Sequence, residues 1–326
     1  MGLIYASEME AITNDYFILD DGGAFDIFYN TSWLLNRCLK QRKGYFELVE
    51  GGEYYRVLLD YDEAEGGFYA RGGTISSDHK ETIQGARFAP KHAYGNGTVL
   101  RVDLQAAGGK YGQINLMTQQ IKKAQQKCTK VAAESIFDEY GTSANRFTGF
   151  GACCDETSSR AFGGFSEDDL VSSDGTKPWE GKRKTDAEQI STTVIRTQVR
   201  DTHQGEGPNK EADLYVTTRE LFDSLVSQLE IQKQYKNDDE MAKAGFTGIK
   251  VDRVTVWYDD YCPDGWGLAI TSKCHGFAIH QDGFFEREKW EKVPNSAGDK
   301  SIKIYLDGNQ VVTNRRVHKL HTGLTA

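Results

Sequence analysis

Residues 111–140 read YGQINLMTQQIKKAQQKCTKVAAESIFDEY and hold the strongest periodic signal in the chain. Ile114, Met117, Ile121, Ala124, Cys128, Val131 and Ser135 recur at spacings of three and four, the repeat that places side chains on one face of an α-helix. Lys122, Lys123, Lys127 and Lys130 form the polar side. At about 1.5 Å per residue this helix reaches roughly 40 Å, and Gly141 is a natural residue to follow its end. The stripe is one-sided and too short in repeats for a coiled coil, so it needs a surface of its own chain to lie on. The strand-like run at 267–279 is the expected surface.

Outward toward the N-terminus, residues 1–23 read as an irregular arm that ends in Asp20-Asp21-Gly22-Gly23. Phe25, Phe28, Tyr29, Trp33 and Leu34 then suit a short amphipathic helix stopping near Lys43-Gly44. Two strand-like runs, Tyr45–Glu50 and Tyr54–Tyr61, meet at Gly51-Gly52, which reads as a hairpin turn. Residues 60–97 carry many acids and glycines and little core material, a polar excursion of the kind that is functional or disordered. Val99, Leu100, Val102 and Leu104 bring the chain back as a strand.

Outward toward the C-terminus, residues 142–210 are rich in glycine and acids, with weak periodicity. A strand Ala212–Val216 leads through Thr217-Thr218, with Glu220 placed for a capping box, into a helix Leu221–Tyr235. A second helical stretch follows at Asp238–Ala244. Ile249–Tyr258 reads as a strand, Cys262-Pro263-Asp264-Gly265 as a turn and Gly267–His280 as another strand. Ile302–Leu306, Asp307-Gly308 and Gln310–Val317 read as a closing hairpin.

The chain has 326 residues, which suits two sub-domains or one domain with long excursions. It carries 34 Gly against 5 Pro, a balance that favours paired strands and open turns over proline-rich linkers. A net charge of −9 disfavours gripping duplex DNA as its main task. No run approaches the roughly 18 apolar residues of a membrane span, and the opening MGLIYASEMEAITNDYF has neither the basic nor the apolar region of a signal peptide. The six cysteines are scattered and read as free buried thiols.

Motifs for phosphate, zinc-protease, serine-hydrolase and dithiol chemistry are missing from the sequence. Cys262, Cys274, His275 and His280 are the best metal candidates. On a strand, however, His275 points away from the others, so packed core cysteines are the better reading and no metal or cofactor is expected. Carboxylate pairs at Asp20-Asp21, Glu167-Asp168-Asp169, Asp238-Asp239 and Asp259-Asp260 leave a carboxylate-dependent cytosolic hydrolase as a reading of a different class. Solvated loop acids are the plainer account.

The order of elements resembles the major capsid (coat) proteins of tailed bacteriophages, with their Hong Kong ninety-seven-like fold. Asp260-Tyr261-Cys262-Pro263-Asp264-Gly265 followed by Gly267–Ile279 is similar to the family's turn and strand under the long helix. The ending 309–323, with Arg315-Arg316 before Thr322-Gly323, is similar to the C-terminal strand of one phage subgroup. The resemblance implies an α+β fold with an N-terminal arm and short helix (1–43), an extended β-hairpin loop (44–104) and a peripheral domain with a spine helix (105–144). An axial domain (145–262) and returning strands of the peripheral domain with a C-terminal hairpin (263–326) complete it.

The function implied is that of a non-enzymatic virion protein, assembled in the bacterial host cytoplasm through hexamers and pentamers into an icosahedral shell. That shell encloses double-stranded DNA without specific binding, with a portal protein at one vertex and a decoration protein as a further partner. The N-terminal scaffolding segment of larger family members has no counterpart here, so a separate scaffolding protein is expected. An encapsulin-type nanocompartment shell is the alternative on the same fold. Expected inter-subunit contacts are Asp60, Asp62, Glu63, Glu65, Phe68, Tyr69 and Arg71 on the extended loop. Their expected counterparts are Lys122, Lys123, Lys127, Arg315 and Arg316.

Overall fold

The structure, a computed structural model, describes residues 32–39, 45–64, 66–73, 80–107, 110–142, 144–204, 211–230 and 249–326. The expected arm at 1–23, the helical stretch 238–244 and Glu65 lie outside the described residues. The chain runs through α1 (Trp33–Leu39), β1 (Tyr45–Val49), β2 (Tyr55–Asp60), β3 (Ile83–Phe88) and β4 (Lys91–Val99). It continues as α2 (Arg101–Ala106), α3 (Lys110–Ile136), α4 (Phe150–Cys153), β5 (Arg183–Lys184), β6 (Glu188–Gln189) and α5 (Thr192–Asp201). Then come β7 (Leu214–Thr217), α6 (Arg219–Glu230), β8 (Ile249–Val251), β9 (Val254–Tyr258) and β10 (Trp266–Ile270). β11 (His275–Arg287), β12 (Glu291–Lys292), β13 (Lys300–Val312), β14 (Lys319–Thr322) and β15 (Leu324–Thr325) complete it.

Two compact units result. The smaller takes residues 92–132 and 281–307, and the larger takes 31–91, 133–280 and 308–326. Residues 263–326 are divided between the two units.

In the smaller unit α3 buries Leu116, Gln120, Ala124, Cys128 and Ala132, one residue in every four. Met117, Ile121 and Val131 of the expected stripe are only half-buried. The surface on the buried face is β4, where the run 267–279 had been expected. A Cβ on Gly95 would lie 1.8 Å from the Ala124 carbonyl oxygen, and one on Gly97 2.6 Å from that of Gln120. Small residues on the helix and glycines on the strand let the two backbones touch, a packing that an apolar count does not register. Val99, Ala107 and Leu116 form a second cluster with Leu104 and Trp290.

The larger unit holds a six-stranded sheet in the order β5-β14-β10-β7-β9-β8. β10 is its middle and is buried at every residue, pairing antiparallel with both β14 and β7. Ile195 and Val199 of α5 and Phe222 and Leu225 of α6 bury their apolar faces with Tyr215, Val256 and Ala269 of this sheet. α5 was hidden in the weakly periodic stretch; Ser191 caps it, accepting from the Val194 N–H at 3.3 Å. α1 is anchored through its N-terminus: Asp259 accepts from the Ser32 hydroxyl at 2.8 Å and the Leu34 N–H at 2.9 Å, while Trp33 stacks on Trp257 at 4.6 Å.

Several local expectations change. Gly51-Gly52 joins no hairpin: β1 pairs in parallel with β11 and β2 pairs antiparallel with β3. The strand expected from Val99 to Leu104 is the end of β4 followed by α2. Ile249–Tyr258 is itself a hairpin, turning where Asp252 takes φ +55°. Gly267–His280 is broken by a 3₁₀ turn at Ser272–Cys274. The Thr217 hydroxyl donates to the Trp266 carbonyl at 2.9 Å, in the sheet, and does not cap α6. Asp307-Gly308 makes no turn, because β13 runs straight through it. Gly308 is there for close approach, since a Cβ would lie 2.5 Å from the Ala278 carbonyl oxygen.

Candidate inter-subunit surface

β2 and β3 form a two-stranded ribbon whose register sets Tyr55 opposite Phe88 and Asp60 opposite Ile83. Strand alternation divides it into two faces. The inner face buries Tyr55, Leu59, Ala86 and Phe88. Phe88 meets Phe162 edge-on at 5.5 Å, and the Arg87 N–H donates to the Gly163 carbonyl at 2.7 Å. The outer face presents Leu58, 78% exposed, and Ile83, 56% exposed. An isolated ribbon with apolar side chains on its open face is a surface waiting for cover.

Beyond Asp60 the ribbon continues as a loop. The Tyr61 N–H donates to the Thr82 carbonyl at 2.9 Å and its hydroxyl to the Glu81 carbonyl at 2.8 Å. Asp62 then ties the loop to its own chain. Its carboxylate accepts from the Ser172 hydroxyl at 2.7 Å, the Ser173 N–H at 3.0 Å and the Ser173 hydroxyl at 2.8 Å, and pairs with Lys80 at 2.6 Å. The Lys80 bond, then those from Ser173 and Ser172, hold this carboxyl far below the usual range. Asp62 is thus an internal anchor, although it was expected to reach a neighbouring subunit. Past the anchor Glu63, Phe68, Tyr69 and Arg71 are exposed, Phe68 completely and Tyr69 at 68%.

Arg315 and Arg316 part ways. Arg315 is 1% exposed, and its guanidinium donates to the carbonyls of Cys153 (2.7 Å), Trp179 (2.9 Å) and Asp155 (2.9 Å). Its charge lies 4.0 Å from Glu167 and 5.0 Å from the centre of the Phe162 ring. A side chain held this way cannot be an inter-subunit contact; here the expectation fails, because a buried cation requires full internal pairing. Arg316 is partly exposed and pairs with Glu180 at 3.1 Å. With Asp60 it lines a cleft of about 250 Å³ that also includes Leu58, Leu170, Trp179 and Asn314. Lys122, Lys123 and Lys127 are exposed on α3.

Among the described acids weighed for catalysis, Glu167, Asp168, Asp169 and Asp259 have structural partners, and Asp260 is exposed. Glu167 accepts from the Gly181 N–H at 2.8 Å, Asp168 pairs with Lys177 at 2.5 Å, and Asp169 accepts from Ser166. Asp259, raised in pKa by burial, also accepts from the Tyr261 N–H at 3.0 Å. All six cysteines are buried and unbridged, and His275 packs on Phe150 at 4.4 Å. Among the described residues no group of three or more His, Cys, Asp or Glu is placed to hold a metal ion.

No protein-family model and no curated protein sequence matches the chain. Solved structures do. The capsid asymmetric unit of Cyanophage A-1(L) matches with a TM-score of 0.69 at 11% identity, over 96% of this chain and 98% of that one. The capsid of Myoviridae Phage XM1 matches with a TM-score of 0.54 at 14% identity, over 99% of each chain. The SrpI encapsulin of Synechococcus elongatus matches with a TM-score of 0.55 at 9% identity, over 97% and 94%. At these identities the likeness shows the fold, and it does so from end to end: the chain has the Hong Kong ninety-seven-like fold of capsid shells.

Proposed function

We propose that the chain is a phage capsid subunit that assembles through hexamers and pentamers into an icosahedral shell around double-stranded DNA. The observation that carries this is the match over nearly the full length of both chains to a cyanophage capsid subunit. The exposed side chains support it. Phe68 and Tyr69 at the loop, with Leu58 and Ile83 on the ribbon's open face, are apolar surface that repeated copies of the chain would cover. Asp60, Glu63, Arg71 and Arg316 are the polar contacts around them. The role is structural and not enzymatic, the site of action is the virion, and a scaffolding protein, a portal protein and a decoration protein are the partners this reading brings.

Electron microscopy of the purified chain tests it: closed shells are expected, and only monomers at assembly concentrations would refute it. Phe68→Ser with Tyr69→Ser should leave circular dichroism unchanged and reduce shell yield severely. The encapsulin match supports a nanocompartment shell as a second reading. Nucleic acid inside particles from the native host selects the capsid, and a protein cargo selects the nanocompartment.

A further inference from the structure

The outer face of the β2–β3 ribbon carries a like-charge pair. The register sets Arg56 directly opposite Arg87, and strand alternation puts both on the face that presents Leu58 and Ile83. Cross-strand neighbours of this kind lie about 4.5–5.5 Å apart at Cβ, where like charges destabilise a ribbon. Both arginines are exposed, and among the described residues neither guanidinium has a hydrogen-bond or ion-pair partner. The acid on this face of β2 is Asp60. It stands four residues along the strand from Arg56, about 13 Å away, beyond the screening length of about 8 Å at physiological salt. The ribbon thus holds two cations together with nothing of its own between them.

We propose that Arg56 and Arg87 form a clamp for one carboxylate, that of Glu63 on the loop of a second copy of the chain. The proposal rests on the shell reading above and names one of its contacts. Two guanidiniums side by side repel until an anion lies between them, and each planar fork can meet a carboxylate with two hydrogen bonds. Glu63 is exposed, and its carboxylate has no partner among the described residues. It cannot serve the clamp of its own chain. Asp62, tied to Lys80, Ser172 and Ser173, holds the loop at the far end of the ribbon from Arg56. The two surfaces also match in make-up: the clamp lies beside Leu58, 78% exposed, and Glu63 belongs to the loop that carries Phe68 and Tyr69. A nucleic-acid phosphate would satisfy the arginines and leave Leu58 and Ile83 bare, whereas the loop covers both.

Three measurements test the clamp. Arg56→Gln relieves the repulsion, so the denaturation midpoint of the unassembled subunit should hold or rise while shell yield falls about tenfold or more. A lower midpoint would show that Arg56 is held within its own subunit and would overturn the proposal. Arg56→Glu/Arg87→Glu should form no shells, and adding Glu63→Lys should restore them. Normal shells from the reversed pair would overturn the proposal. Arg56→Cys/Glu63→Cys treated with a short bismaleimide should give cross-linked dimers and longer chains, the six native cysteines being buried. Where reversal blocks shells and Glu63→Lys does not restore them, this cross-link decides. Its presence upholds the clamp; its absence assigns the arginines to another partner and overturns the proposal. A wild type that forms no shells refutes the shell reading, and the same cross-link in smaller oligomers still decides the clamp.

Discussion

The stretch 153–181 is gathered around a buried arginine, whereas the loop beyond the β2–β3 ribbon is held at one carboxylate. Arg315 reaches from far along the chain and takes the carbonyls of Cys153, Asp155 and Trp179 at once. Gly181 lies so close that a Cβ there would sit 2.3 Å from the Asp155 oxygen and 2.8 Å from the guanidinium. At the ribbon, Asp62 binds Lys80, Ser172 and Ser173, and beyond it the chain is exposed to Arg71 at the described positions. Both stretches are glycine-bearing and acidic. The difference teaches that a polar loop becomes interior when a distant side chain satisfies its carbonyls, and stays surface when it is tethered only at its root.

The largest effect expected is at the first of these. Arg315→Ala leaves three buried carbonyls without their donor and Glu167 without its nearby cation, a loss of about 3–5 kcal/mol. Chemical denaturation should show a much lower midpoint, or the protein should be insoluble. Arg315→Lys should rescue it poorly, since one ammonium lacks the planar fork that meets several acceptors. Arg316→Ala, next door, should cost less than about 1 kcal/mol. Equal effects at the two positions would erase the contrast.

Acid should separate the same two regions. His318, packed edge-on to Phe150 beside the arginine turn, is pushed down to about 4 by burial, and His275 is driven low by burial and by His318. A histidine whose folded pKa lies below its unfolded value contributes fully above about pH 6.5, and that contribution is lost as pH falls toward 4. For His318 this is about 3 kcal/mol at most. Asp138, raised to about 6 by burial, opposes it by taking up a proton in the folded state first. The Asp62 carboxyl, also held low in the folded state by its partners, contributes fully above the usual carboxylate range and loses that contribution only as pH falls through and below that range, in stronger acid than His318. Denaturation midpoints between pH 7 and 5 should therefore fall in the wild type and flatten in His318→Gln. A wild type with no acid slope there would count against the buried pair.

The smallest effect on stability, and the sharpest on local order, is expected for Asp62→Asn. It weakens the charge-assisted bonds at the loop's root while leaving Arg315 untouched. Limited proteolysis should cut severalfold faster within 61–73, with the global unfolding midpoint unchanged. A fall in that midpoint would mean that the loop is part of the unit's core.

Much of this was legible in the residues. The period of 111–140 announces α3, which runs from Lys110 to Ile136. The aromatic pair at 68–69 on a stretch too polar to fold back announces an exposed tip. The face of α3 was not legible, because Ala124 and Cys128 owe their burial to glycines on a strand about thirty residues earlier. Neither was the fate of Arg315, whose sequence neighbours match those of Arg316. β1 was read as half of a hairpin because turn chemistry is local, while its partner β11 lies more than two hundred residues away.

By itself, then, the sequence determined the long helix α3, that the chain is acidic and that its loops are glycine-bearing, since these depend on period, charge and local backbone freedom. Tertiary structure alone decided which strands pair, which side of α3 is buried and which arginine is interior. Those outcomes depend on whether residues far apart in the chain can pack without a Cβ between them and satisfy one another's hydrogen bonds.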